Sequence, residues 1–219
     1  MEIQELFMYW ADKGAAARYQ VNDLSADDAI RAAARSGPKA RQDFQVSRAL
    51  LHDVRQSTSP GGVTSLSHSG GHAICARAPA AWGLGADLER MRPRDYAALA
   101  AWVCSPEEAV ALAALNGPAQ TRHFYLLWTL KEAFIKAAAL DFPADMAKVG
   151  LHADEDGQWQ LRAPPGRWRA CSWQVGDAWM ASVVWQAPLR DTTYPRWRGG
   201  AGCALPALTL VGEWLRDSD

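Results

Sequence analysis

One pattern occurs twice along the chain and limits what it can fold into. A helical stretch at residues 39–54, with Phe44, Ala49 and Leu51 among its apolar positions, precedes two short strands flanking Gly70-Gly71 at 65–76. A second helical stretch at 121–140 precedes a hairpin across Gly176-Asp177 at 171–186. Glycine supplies the positive φ that tight hairpin turns demand. The intervening segments differ in length, so the repeat is one of element order. Helix and hairpin, taken twice, give mixed α+β with antiparallel sheets, not the parallel sheet of alternating βαβ units.

Other elements follow from local signals. Residues 3–10 read as an opening strand, and Ser25 caps a helix with Asp28 three residues on. Ser36-Gly37-Pro38 ends that helix, residues 57–62 form a loop, and 83–89 read as a strand with glycines at its start. Ser105-Pro106-Glu107-Glu108 is a helix start with a capping-box glutamate, and Asp141-Phe142-Pro143 stops the 121–140 helix. Residues 158–187 suggest a meander of three antiparallel strands, and Leu208–Leu215 a short helix packed back on the body.

Composition narrows the function classes. The 219 residues carry 23 Lys and Arg against 24 Asp and Glu, with 49% apolar residues, so there is core material and no case for disorder. Balanced charge argues against an electrostatic nucleic-acid binder. No apolar run approaches the roughly 20 residues of a membrane span, and the N-terminal Met1-Glu2-Ile3-Gln4-Glu5 carries acid where a secretory signal carries base. Cys75, Cys104, Cys171 and Cys203 lie far apart with no CxxC pair, which suits incidental thiols in a reducing cytosol.

Chemistry gathers in two places. Asp87 and Glu89 are two apart on a strand and so share a face. Trp128, Glu132 and Lys136 follow one another at i, i+4 along a helix face. Two strand carboxylates and one helix carboxylate match the hard-oxygen donors Mg²⁺ takes, with Lys136 one turn on as a point charge for phosphate. Taken separately, the strand acids also read as a solvated strand end and Glu132–Lys136 as a surface ion pair. Upstream, Lys39, Arg41 and Arg48 lie on a helix, and Ser67-His68-Ser69 on the first hairpin, groups able to grip a phosphate monoester.

Read together these segments resemble the 4'-phosphopantetheinyl transferases, of the larger two-halves (Sfp-type) class. Four blocks carry the likeness: Arg41-x-x-Phe44-x-x-x-Arg48-Ala49-Leu50-Leu51, Ser65-Leu66-Ser67-His68-Ser69, Gly85-Ala86-Asp87-Leu88-Glu89-Arg90, and Trp128-Thr129-Leu130-Lys131-Glu132-Ala133-Phe134-Ile135-Lys136-Ala137. Ser105-Pro106-x-Glu108 fits between the last two, and the likeness covers residues 24–150. It implies an α+β fold of two pseudo-symmetric halves, each a small antiparallel sheet with packed helices, with the active site in the cleft between them. The implied division is an N-terminal half at 1–85 on the side of the CoA 3'-phosphate, a C-terminal half at 86–190 with the metal and catalytic carboxylates, and a tail at 191–219.

The resemblance further implies transfer of the phosphopantetheine arm of CoA to a serine of an acyl or peptidyl carrier protein, releasing adenosine 3',5'-bisphosphate. Asp87, Glu89 and Glu132 would hold Mg²⁺, and Lys136 would contact the diphosphate. Arg41, Arg48 and His68 would approach the 3'-phosphate, with Ser67 and Lys39 nearby. Glu132 would take the serine proton directly or through a metal-bound water. A monomeric cytoplasmic enzyme is expected, with Arg90, Arg92, Arg94 and the Tyr96–Val103 stretch facing the acidic carrier. Two departures stand out: Ala138-Ala139-Leu140-Asp141-Phe142-Pro143 follows where a Gly-rich turn is usual, and the short segment between Arg48 and Ser65 lacks a Lys/Arg-Pro pattern for adenine. The alternatives are a Mg²⁺-dependent enzyme acting on another nucleotide diphosphate, and a non-catalytic CoA-binding relative.

Overall fold

The computed structural model describes residues 5–186 and 193–216. In chain order the elements are β1 (Phe7–Ala11), α1 (Ala26–Ala33), α2 (Pro38–Ser57), β2 (Gly62–Ser69), β3 (His72–Pro79), β4 (Gly83–Arg90), α3 (Tyr96–Val103), α4 (Pro106–Ala113) and α5 (Gly117–Ala137). There follow β5 (Gly150–Ala153), β6 (Trp159–Arg162), β7 (Trp168–Val175), β8 (Trp179–Gln186), β9 (Arg196–Gly199) and β10 (Leu208–Arg216). The chain forms two compact units, Met1–Ala80 with Thr193–Pro206, and Ala81–Thr192 with Ala207–Asp219. Among the described residues no helix is long and apolar enough to cross a membrane.

In the first unit, Gly37 at φ +85° followed by Pro38 at the first helical position launches α2, since proline's missing N–H is one the first turn cannot use. Phe44, Val46, Leu50, Leu51 and Val54 line the buried side of α2. Val46, Leu50, Leu51 and Val54 share a core with Tyr9, Ala11, Ala73 and Cys75 of the sheet. That sheet runs β2-β3-β1-β9. Its pairings are antiparallel apart from β9, which lies parallel to β1. The β2–β3 turn is the expected Gly70-Gly71, both at positive φ, and Gly71 N donates to the buried carboxylate of Asp43 at 2.5 Å.

In the second unit the sheet β10-β7-β8-β4 is antiparallel throughout, and α5 packs across β4 and β8. Leu127, Leu130 and Phe134 of α5 enter a core with Trp168, Ala170 and Val184. Each such fully buried large side chain contributes about 1.5–3 kcal/mol. The two units repeat one topology: β1–α2–β2–β3 arranged β2-β3-β1, and β4–α5–β7–β8 arranged β7-β8-β4. The duplication expected from element order is thus a shared strand–helix–hairpin plan.

Two local expectations are corrected. Residues 208–215 form the edge strand β10, not a helix, because β7 offers them an open row of backbone partners from Val175 to Trp168. The third strand expected in the 158–187 meander, β6, turns away from β7 and pairs with β5, which the sequence reading did not identify.

Candidate active site

Glycine brings the helix with the acid onto the strand with the acids. Gly83, Gly85, Asp87 and Glu89 alternate onto one face of β4. A Cβ on Gly85 would overlap Ala133 O and lie 2.6 Å from Ala137 N, and one on Gly83 would lie 3.0 Å from Ala137 O. Bare backbone at these positions lets α5 rest directly on the strand. Lys136 then reaches Asp87: its Nζ donates to Asp87 Oδ1 at 2.8 Å and to Ala86 O at 3.0 Å. Asp87 is only 4% exposed. Burial raises the Glu132 carboxyl above the usual range and the Asp87 charge raises it further, while Lys136 pulls it back. That mutual influence places Asp87, Glu132 and Lys136 in one electrostatic group.

The group's chemistry fits a hard divalent cation. Two carboxylates that repel each other gain from a shared cation, and Glu89 adds a third oxygen donor on the same strand face. Among the described residues, no three His, Cys, Asp or Glu side chains stand together as a ready-made metal cluster.

The first unit brings a different set together. Arg48 Nη2 pairs with Asp28 Oδ1 at 2.8 Å, and the Arg48 guanidinium lies 4.7 Å from the Phe44 ring centre. Arg35 lies over the same ring at 5.6 Å. Both arginines act on His68 electrostatically. Burial lowers its pKa most, Arg35 and Arg48 lower it further, and Asp43 opposes them. Lys39 pairs with Asp43 at 3.0 Å, its side chain largely in solvent. Arg41 is exposed and donates to Arg35 O at 3.4 Å. Strand alternation puts His68 with Leu66 on the α2 side of its sheet and Ser67 on the other face. Arg48 and His68 therefore group, whereas Ser67 does not join them.

The sequence reading gave Asp28 only a helix-capping role, whereas its carboxylate pairs with Arg48, and it missed Arg35 and Asp43, which lack a periodic or motif signal. It also missed Lys131, which pairs with Glu108 at 2.8 Å in the interior. A signal for Lys131 existed: it falls in the stripe Leu127, Leu130, Lys131, Phe134, where every other member is apolar.

Residues 83–184 match the family model described as the 4'-phosphopantetheinyl transferase superfamily. The chain is 36% identical over 107 residues to the 4'-phosphopantetheinyl transferase Sfp of Bacillus subtilis (strain 168), covering 48% of this chain and 46% of that protein. It is 34% identical over 100 residues to the 4'-phosphopantetheinyl transferase psf-1 of Bacillus pumilus, covering 46% of this chain and 42% of that protein. The chain thus spans under half the length of these relatives. Among solved structures it is similar to a holo-(acyl-carrier-protein) synthase from Bacillus anthracis in complex with CoA (3',5'-ADP), with a TM-score of 0.39 and 15% identity over 48% of this chain and 94% of that one. The matched residues 83–184 include Asp87, Glu89, Glu132 and Lys136.

Proposed function

We propose that this chain transfers the 4'-phosphopantetheine arm of CoA to the serine hydroxyl of an acyl or peptidyl carrier protein, releasing adenosine 3',5'-bisphosphate. The observation that carries this reading is the Lys136–Asp87 contact with Glu132 electrostatically coupled to it, in the segment that matches the superfamily.

Asp87, Glu89 and Glu132 would hold Mg²⁺. When bound, the ion supplies Lewis-acid stabilisation of charge on the diphosphate. The chain's own groups do the rest. Lys136 stabilises the negative charge that grows on the departing bisphosphate, an interaction stronger in the transition state than in the ground state. Glu132 accepts the serine proton. Arg48 and His68, with Lys39 and Arg41 as further members, meet the 3'-phosphate and so bind without reacting. Arg90 at the end of β4 and Arg92 and Arg94 just past it are exposed, and a surface groove there is lined by Met91, Arg92, Pro93, Tyr96 and Arg122. This basic, partly apolar surface suits an acidic carrier protein. A monomer working in the cytoplasm is part of the same proposal.

Calorimetric titration of CoA with and without Mg²⁺, beside chromatography of the reaction products, tests this reading. Adenosine 3',5'-bisphosphate formed only when CoA and apo-carrier are both present supports it. Hydrolysis of another nucleotide diphosphate in its place, or CoA binding without turnover, contradicts it.

A further inference from the structure

Helix α5 carries a lysine where its apolar stripe calls for a hydrocarbon. Lys131 is 0% exposed, and its ammonium spends all three protons inside the second unit. Nζ donates to Met146 O at 2.7 Å and Val149 O at 2.5 Å, and pairs with Glu108 Oε2 at 2.8 Å. Glu108, also 0% exposed, is equally committed. Its Oε2 accepts from Ser105 N at 2.8 Å in the α4 capping box, and its Oε1 accepts from Leu151 N at 2.9 Å. Even the chain around the pair is shaped for it: Gly150 has φ +125°, and a Cβ there would overlap Glu108 Oε1 and lie 2.8 Å from Lys131 Nζ.

Such a pair is a poor stability device, because well-packed hydrocarbon in its place is often as stable or more so. Its directional bonds do what hydrocarbon cannot. They tie one azimuth and one register of α5 to the cap of α4 and to the backbone leading into β5. A second polar tether acts at another azimuth, where Thr129 Oγ1 and Ser182 Oγ lie 2.7 Å apart and Ser182 is 2.7 Å from Ser172 Oγ. Ser182 is the residue opposite Asp87 in the β4–β8 register. Glu132 follows Lys131 directly, about 100° further round the helix. A rotation of α5 by about 20° would move a side-chain end by about 2 Å at the helix's outer radius. A misplacement of about 1 Å can lower a rate a hundredfold.

We propose that Lys131 is a positioning residue: its buried pair with Glu108 and its two carbonyl bonds fix the rotational setting of α5 that holds Glu132 beside Asp87. The role assigned to Glu132 rests on the function proposed above, whereas the geometric claim stands by itself.

The test compares the wild-type chain, Lys131→Met, and the charge-neutral double variant Lys131→Met/Glu108→Gln. The single variant strands Glu108 as a buried charge and melts well below wild type. The double variant regains most of that melting temperature. It nevertheless transfers at least tenfold more slowly in kcat, keeps its CoA KM within twofold, and binds Mn²⁺ several-fold more weakly by electron paramagnetic resonance. Recovery of kcat and Mn²⁺ affinity along with melting temperature would overturn the proposal, leaving the pair a merely structural one. A crystal structure of the double variant decides the geometry whatever the chain transfers. Helix α5 turned so that Glu132 leaves Asp87 supports the proposal, and an unmoved α5 overturns it. If the wild type neither transfers nor binds Mn²⁺, it is the proposed function that fails, and the crystal structure alone judges Lys131.

Discussion

Lys136 Nζ stands 2.8 Å from Asp87 Oδ1, across an α5–β4 contact that only glycine at position 85 permits. The contact joins two of the quoted sequence blocks at one point. It also makes β4 and α5 a single chemical unit, since a shift of either separates the lysine from the acid.

Gly85→Ala should therefore act far beyond one methyl group. The new Cβ meets the Ala133 carbonyl and Ala137 amide, backbone atoms that cannot swing aside. Overpacking of this kind costs about 1–3 kcal/mol. The melting temperature should fall by several degrees and transfer should fall with it. A variant with wild-type melting and wild-type transfer would show that the close approach is dispensable.

Asp87→Asn keeps the buried shape and removes the charge facing Lys136. Transfer should drop at least about a hundredfold, the scale for losing one preorganised electrostatic partner. The fold, read by circular dichroism, should persist. Asn is the better probe than Ala because Asp87 is buried, not part of a solvated strand end.

Glu132 makes stability depend on pH with a definite sign. Its folded pKa is raised by burial and then by Asp87, so the folded chain holds this proton more tightly than the unfolded one. The stabilisation is complete below the unfolded value of about 4.3 and is lost as pH rises through the folded value. Without divalent ions, Glu132→Gln should flatten the fall of melting temperature across that window. The same slope in wild type and variant would contradict the assignment.

Arg48→Ala removes the pair to Asp28 and the contact with Phe44, beside His68. The CoA KM should rise about tenfold or more, with kcat within twofold, as for a group that binds a non-reacting phosphate. Arg41→Ala should change KM less, because Arg41 is exposed and donates to Arg35 O at 3.4 Å. An unchanged KM in Arg48→Ala would remove it from the CoA site.

Arg92→Glu with Arg94→Glu should lower kcat/KM for the carrier protein, and more so at low salt, while the CoA KM stays fixed. Stopped-flow association of a labelled apo-carrier reads this directly. Unchanged association would take this surface out of the interface.

Much of the fold was legible because its signals are local. Ser105 and Glu108 form the capping box that their spacing announces, Ser25 caps α1 through Asp28 N, and Gly70-Gly71 turns the first hairpin. The edges were not legible. β9 and β10 find their partners by long-range pairing with β1 and β7, and four or nine residues carry no record of a neighbour distant in sequence. The site divides in the same way. Asp87, Glu132 and Lys136 were readable from alternation on a strand and i, i+4 spacing on a helix. The Arg48–Asp28 pair and the opposite facing of Ser67 and His68 depend on packing and strand register, which fixed the outcome only in three dimensions.

The central claim is that Asp87, Glu89 and Glu132 serve phosphopantetheinyl transfer with a divalent ion. Intact-protein mass spectrometry of apo-carrier proteins incubated with this chain and CoA tests it, with Mg²⁺ or with a chelator, using wild type and Asp87→Asn. The account predicts one phosphopantetheine added per carrier with wild type and Mg²⁺, and unmodified carrier in the other three reactions. Full modification by Asp87→Asn, or by wild type in chelator, would contradict it.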